Sequence, residues 1–210
     1  MSPVRPTLAA PALAALLLAG CLSSGKQPAP DLPDLYPVGN FSLTERTGRT
    51  VTRDDLLGKV WVASFVFTRC TGPCPQVTGT VARLQSELGD RDDVRLVTFT
   101  VDPDRDNPGE LRQYADHFGA DRDRWLFLTG PREEVYKLLR EGFRVGVERN
   151  DARDVRPGQE VTHSTRLALV DRKGHVRAYF DGRQVDDEGR PVDDVPKVKE
   201  AVEALLREAP

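Results

Sequence analysis

Methionine is all but missing from this 210-residue chain: Met1 is the only one, which leaves no thioether for an internal metal site. Cysteine and histidine are scarce as well, three of each, so metal or redox chemistry has few side chains to draw on. Charge of one sign is not in excess. Thirty basic and 33 acidic residues give a net −3, which excludes the basic footprint of a nucleic-acid binder. No apolar run reaches the roughly 20 residues that a transmembrane helix needs, and no internal repeat is present. What remains is 39% hydrophobic and 30% charged residues, an ordinary soluble balance. At this length the chain is one domain, or one domain with appendages.

Residues 1–20 stand apart from the rest. Arg5 is their only charge, and the Ala/Leu-rich run from Leu8 to Ala19 suits the apolar part of a secretory signal peptide. The segment ends Leu18-Ala19-Gly20-Cys21, which resembles the bacterial lipobox, where the cysteine is lipidated and becomes the first mature residue. Residues 21–37 then read as a flexible tether rich in Ser, Pro, Gly and Asp, placing residues 38–210 outside the cytoplasm on a lipid anchor at a bacterial membrane. Loss of Arg5 with the signal takes the net charge from −3 to −4.

If Cys21 carries lipid, the thiols left are Cys70 and Cys74. In an oxidising compartment two such close thiols form a disulfide or a guarded metal site. A structural staple is not expected, because a bridge that closes so short a loop stabilises little. Val60 to Thr68 is an apolar run suited to a strand covered on both faces. Val77, Val81, Leu84 and Leu88 form one stripe of a following helix. The cysteines therefore occupy a strand-to-helix turn, Arg69-Cys70-Thr71-Gly72-Pro73-Cys74-Pro75, with Pro75 in the first helical turn. Free N–H groups there favour thiolate, which serves equally as a nucleophile in disulfide exchange and as a soft ligand for Cu(I).

Strand and helix then alternate. Strands are expected over Asp93–Val101, Trp125–Leu128, Thr165–Val170 and His175–Phe180, the last two joined through Asp171-Arg172-Lys173-Gly174. Helices are expected after Asn107, from Pro131, and over Val195–Arg207. Phe41–Leu43 and Thr50–Val51 add a short hairpin in front. The order is α/β and thioredoxin-like: a central mixed sheet flanked by helices, with an N-terminal β-hairpin extension. Of the histidines, His117 suits a helix end and His175 a surface strand start. His163 differs, because it follows the polar, aperiodic stretch Asn150–Glu160, and long irregular loops are often functional.

Three segments carry a resemblance. Phe65-Val66-Phe67-Thr68-Arg69-Cys70-Thr71-Gly72-Pro73-Cys74-Pro75, Val101-Asp102-Pro103-Asp104-Arg105-Asp106-Asn107-Pro108 and Val161-Thr162-His163-Ser164-Thr165 are similar, in that order, to the motifs of the SCO/SenC family. The likeness runs from about Phe41 to the C-terminus, and departs at Thr71, where many members have proline. The resemblance implies one copper ion, Cu(I) or Cu(II), held by Cys70, Cys74 and His163, with Asp102 and Asp104 either tuning the site or serving as turn and cap residues. It implies a metallochaperone that donates copper to the dinuclear CuA site of cytochrome c oxidase, or reduces that site's thiols with Cys70 and Cys74 as the redox pair, or both. The implied partners are the CuA-bearing oxidase subunit and another extracytoplasmic copper carrier or thiol reductant. The alternative is a copper-independent thiol-disulfide oxidoreductase of the cell envelope. Such enzymes usually keep two residues between their cysteines, where this chain has three, and give no role to His163. A peroxidase finds Cys70 in the wrong motif, blue-copper chemistry lacks its methionine, and zinc would want a fourth ligand.

Overall fold

The computed structural model describes residues 31–150, 155–185, 191–192 and 194–208; Cys21 and the expected signal lie outside them. Among the described residues no helix is long and apolar enough to cross a membrane. Ten strands and four helices position the site. In chain order they are β1 (Tyr36–Pro37), β2 (Ser42–Glu45), β3 (Thr50–Thr52), β4 (Val60–Val66), α1 (Cys74–Leu88), β5 (Val94–Thr100), α2 (Pro108–His117) and β6 (Trp125–Thr129). There follow α3 (Arg132–Lys137), β7 (Val147–Arg149), β8 (Val161–His163), β9 (Arg166–Val170), β10 (His175–Asp181) and α4 (Val195–Arg207).

Eight strands form one sheet in the order β1-β10-β9-β4-β5-β6-β2-β3. β4, β5 and β6 run parallel, and the strands outside them are antiparallel to their neighbours. Every residue of β4 is buried, as expected of a strand covered on both faces. On one face Trp61, Phe65 and Phe99 surround the Phe143 ring, with centroids 5.9, 5.1 and 5.2 Å from it. On the other, the Ser64 and Thr98 hydroxyls share a hydrogen bond of 2.8 Å, and Trp125 Nε1 donates to Thr98 Oγ1 at 2.8 Å. The fold is thioredoxin-like, a mixed sheet flanked by helices, and the front hairpin joins the main sheet through β2 and β6.

The structure corrects four sequence expectations. Leu32–Pro37 are not free tether: Leu35 N donates to Val176 O at 3.0 Å, β1 pairs with β10, and Arg177 Nε donates to Pro33 O at 3.0 Å. Unpaired backbone groups along β10 and a buried guanidinium draw this segment onto the domain. The helix expected from Pro131, with Val135, Leu138 and Leu139 on its buried face, is α-helical only to Lys137 and then widens into a π turn over Leu138–Gly142, which delivers Phe143 to the core. His175 is half-buried, its Nδ1 2.8 Å from Asp34, rather than a plain surface residue. Finally, Asn150–Glu160 is not simply an irregular loop but is bracketed by the paired strands β7 and β8, so His163 ends a strand of its own before β9 begins at Arg166.

Phe143 is fully buried among three rings, so Phe143→Ala should lower unfolding free energy by about 3–5 kcal/mol. Chemical denaturation checks this: the midpoint should fall while the denaturant slope stays unchanged.

Candidate metal centre

Parallel strands β4 and β5 end side by side, and the cysteine turn leaves from that edge, where open α/β sheets commonly bind their ligands. A buried carboxylate holds the two strand exits together. Asp106 accepts from Thr68 N at 3.1 Å, Thr68 Oγ1 at 2.6 Å and Thr100 Oγ1 at 2.6 Å. Burial raises its pKa above the usual carboxylate value, against the pull of these three donors. Thr68 lies two residues before Cys70, so the approach to the first thiol is fixed from beneath.

Cys70 and Cys74 are both free thiols. Pro73 caps α1 and Pro75 occupies its first turn, as expected; Cys74 is the first helical residue. Contrary to the simple expectation from helix N-termini, Cys74 is not the activated thiol. Its pKa is raised, first by the hydrogen bond it shares with Cys70 and then by complete burial. Cys70 is lowered by that same bond, by His163 and by the N–H groups of Cys74 and Gly72, so the pair shares one proton with the negative charge on Cys70. Cys70 also keeps 9% exposure, where Cys74 has none.

His163 is brought to this pair across 89 residues of chain, its Nε2 3.2 Å from Cys74 Sγ. Its Nδ1 lies 2.9 Å from the Ser164 carbonyl, which can only accept, so Nδ1 donates there and the ring is held with Nε2 toward the sulfur. Phe67 backs the ring edge-on at 5.9 Å between centroids. A cleft of about 320 Å³ opens over the group, lined by Cys70, Gly72, Pro73, Gly158, Val161 and His163 among others. Among the described residues no three or more such side chains are spaced as a preformed metal cage. The donors here touch one another, and a soft ion would enter by displacing thiol protons. Two thiols and an oriented imidazole suit that exchange.

The other sequence candidates lie apart. His117 is exposed on the end of α2, against Phe118. Asp102 and Asp104 have no hydrogen bond to either cysteine or to His163; Asp102 is held by Arg105 at 2.8 Å and Asp104 by Arg149 at 2.7 Å. Asn107, not an aspartate, caps α2 by accepting from Gly109 N and Glu110 N. Sequence reasoning missed Asp106 and Thr68, although Asp106 closes the quoted Asp102–Asp106 segment and was legible as a third aspartate at every-second spacing.

The sequence model of the SCO1/SenC family matches residues 33–199. A SCO1/SenC family lipoprotein from Bacillus anthracis superposes with TM-score 0.71 at 29% identity, over 82% of this chain and 96% of that one. BsSco, described as a member of the Sco family of cytochrome c oxidase assembly proteins, gives 0.69 at 28%, over 85% and 98%. Yeast Sco1 with copper bound gives 0.64 at 27%, over 85% and 92%.

The unequal pair makes a direct prediction. Iodoacetamide should label Cys70 first and remain effective near pH about 6, below the ordinary thiol value of roughly 8.5, while Cys74 stays protected. Peptide mapping by mass spectrometry decides it, and equal labelling or Cys74 first would contradict the assignment.

Proposed function

The chain belongs to the SCO1/SenC family, and from that premise we propose that it is a membrane-tethered copper carrier serving assembly of the CuA site of cytochrome c oxidase. Relatives of this fold supply the context: one solved structure holds copper, and another belongs to a family described by oxidase assembly. The observation that carries the proposal is the convergence of two free thiols with the Nε2 of His163 at the mouth of a cleft. Copper is cargo here, held by Cys70, Cys74 and His163. Three protein donors leave room for a ligand of the receiving site to bind before a carrier ligand lets go, so transfer proceeds by exchange rather than release into water. The lipobox-like Leu18-Ala19-Gly20-Cys21 supports anchoring through lipid on Cys21, outside the cytoplasm.

A second role rests on the difference in exposure between the thiols. Cys70 thiolate attacks one sulfur of a disulfide in the receiving site, and the partner's other sulfur leaves as thiolate. Cys74 passes its proton to that departed thiolate and attacks the Cys70 sulfur of the mixed disulfide, breaking the bond between Cys70 and the partner and releasing the partner's first sulfur as thiolate. The partner gains two electrons and its dithiol, while Cys70 and Cys74 become the disulfide.

Anaerobic Cu(I) titration of the reduced chain from Leu22 onward, against a competing chelator, tests the carrier role. One equivalent should bind, and His163→Ala should weaken it about tenfold or more while leaving disulfide exchange near wild type. Wild-type-like copper affinity in His163→Ala would remove His163 from the donor set. Absence of tight binding in the parent chain would leave the thiol reductase.

A further inference from the structure

The strand that carries His163 has no place in the main sheet. Among the described residues β7 and β8 pair only with each other, setting Val147 opposite His163 and Arg149 opposite Val161. Near His163 the hairpin is tied by Ser164 N to Gly146 O at 3.3 Å and by Arg140 Nη2 to Val147 O at 2.9 Å. At its far end the tie is ionic. Arg149 Nη1 lies 2.7 Å from Asp104 Oδ2 and 3.6 Å from Asp102 Oδ1. Asp104 also meets Arg132, and the other oxygen of Asp102 accepts from Arg105 at 2.8 Å. Asp102 is 1% exposed, and among the described residues its Oδ1 has no hydrogen-bond donor, so Arg149 is a cation set against a buried, unfinished carboxylate.

This loop is the one whose Asp106 grips Thr68 ahead of Cys70. A single short segment, Asp102–Asp106, therefore holds the approach to the dithiol and the hairpin bearing the imidazole. A second contact closes the hairpin's loop onto the cysteine turn. Gly158, at φ +86°, lies so close that a Cβ there would stand 2.8 Å from Thr71 N. Thr71 presents its hydroxyl 3.5 Å from the Pro157 carbonyl.

We propose that Arg149 is a positioning residue for the third donor: its ion pairs with Asp104 and Asp102 hold the β7–β8 hairpin where His163 faces the dithiol and where the hairpin roofs Cys70. Without them a fraction of molecules carries the hairpin away, and a ligand that needs His163 binds in proportion to the fraction left closed. The Arg149 and Asp104 side chains are each 35% exposed, so the effect is that of a screened pair, about twofold to fivefold. The copper arm of the proposal rests on the site reading above; the thiol arm does not.

The test uses the reduced chain from Leu22 onward as wild type, Arg149→Ala and Arg149→Lys. Copper-free iodoacetamide labelling of Cys70 is timed at low and high salt, and hydrogen exchange of the Val161–His163 amides is followed alongside. Cu(I) affinity is then measured by competition. Arg149→Ala should raise the open-to-closed ratio about twofold to fivefold, speeding labelling and amide exchange by up to that factor and weakening copper binding by the smaller factor by which the closed fraction falls. Arg149→Lys should restore most of each, and salt should move wild type toward Arg149→Ala while leaving that variant unchanged. A lowered melting temperature with labelling, exchange and affinity at wild-type values would overturn the proposal, as would salt sensitivity persisting in Arg149→Ala. Failure of the wild type to bind copper would refute the carrier function, and the thiol and amide measurements would still decide the role of Arg149.

Discussion

One buried carboxylate holds the functional end of this protein together. Asp106 takes two donors from Thr68 and one from Thr100, and those threonines follow and end β4 and β5, the central parallel strands. Its elevated pKa gives the sign of the energetics. A carboxyl raised in the folded state contributes fully below its ordinary value near 3.8 and loses that contribution as pH rises through the elevated one. Burial works against the charged form of this carboxylate, and the three donors offset that in part. What the protein gains is a fixed exit for the cysteine turn.

Around that anchor the site is assembled from parts with different rigidity. The cysteines leave a fully buried strand and enter a helix capped by proline, so their separation is set by core packing. The imidazole arrives on a two-stranded hairpin outside the main sheet, held by a few hydrogen bonds and ion pairs. Two firm thiols and an imidazole on a lighter support would suit the proposed exchange of an ion, which is first held and then passed on. The thiols differ as well: Cys74 is sunk beneath the helix start, while Cys70, 9% exposed, gathers N–H donors from Gly72 and Cys74.

Much of this was legible from residue pattern. The apolar run of β4, the stripe Val77-Val81-Leu84-Leu88, the Asn107 cap and the final helix Val195–Arg207 all lie where local chemistry puts them. The elements that escaped are those whose partners are distant in sequence. Tyr36–Pro37 has no strand signature of its own and becomes a strand because β10 offers unpaired backbone. Val147–Arg149 and Val161–His163 are too short to announce themselves, and pair across a polar loop. The π turn at Leu138–Gly142 leaves the apolar spacing of the helix nearly unchanged, so no periodicity reveals it.

The sequence by itself determined the α/β order, the strand-to-helix turn that presents Cys70 and Cys74, and the soft-ligand chemistry those thiols share with a lone loop histidine. Those are local properties, written in side-chain periodicity, turn residues and donor type. Only the tertiary structure decided that Cys70 rather than Cys74 bears the charge, that His163 reaches Cys74 with its Nδ1 proton committed to Ser164, and that Asp106 and Arg149 brace the two halves of the site. Burial and hydrogen bonding set those outcomes, and both depend on which distant segments the fold brings within about 3 Å of one another.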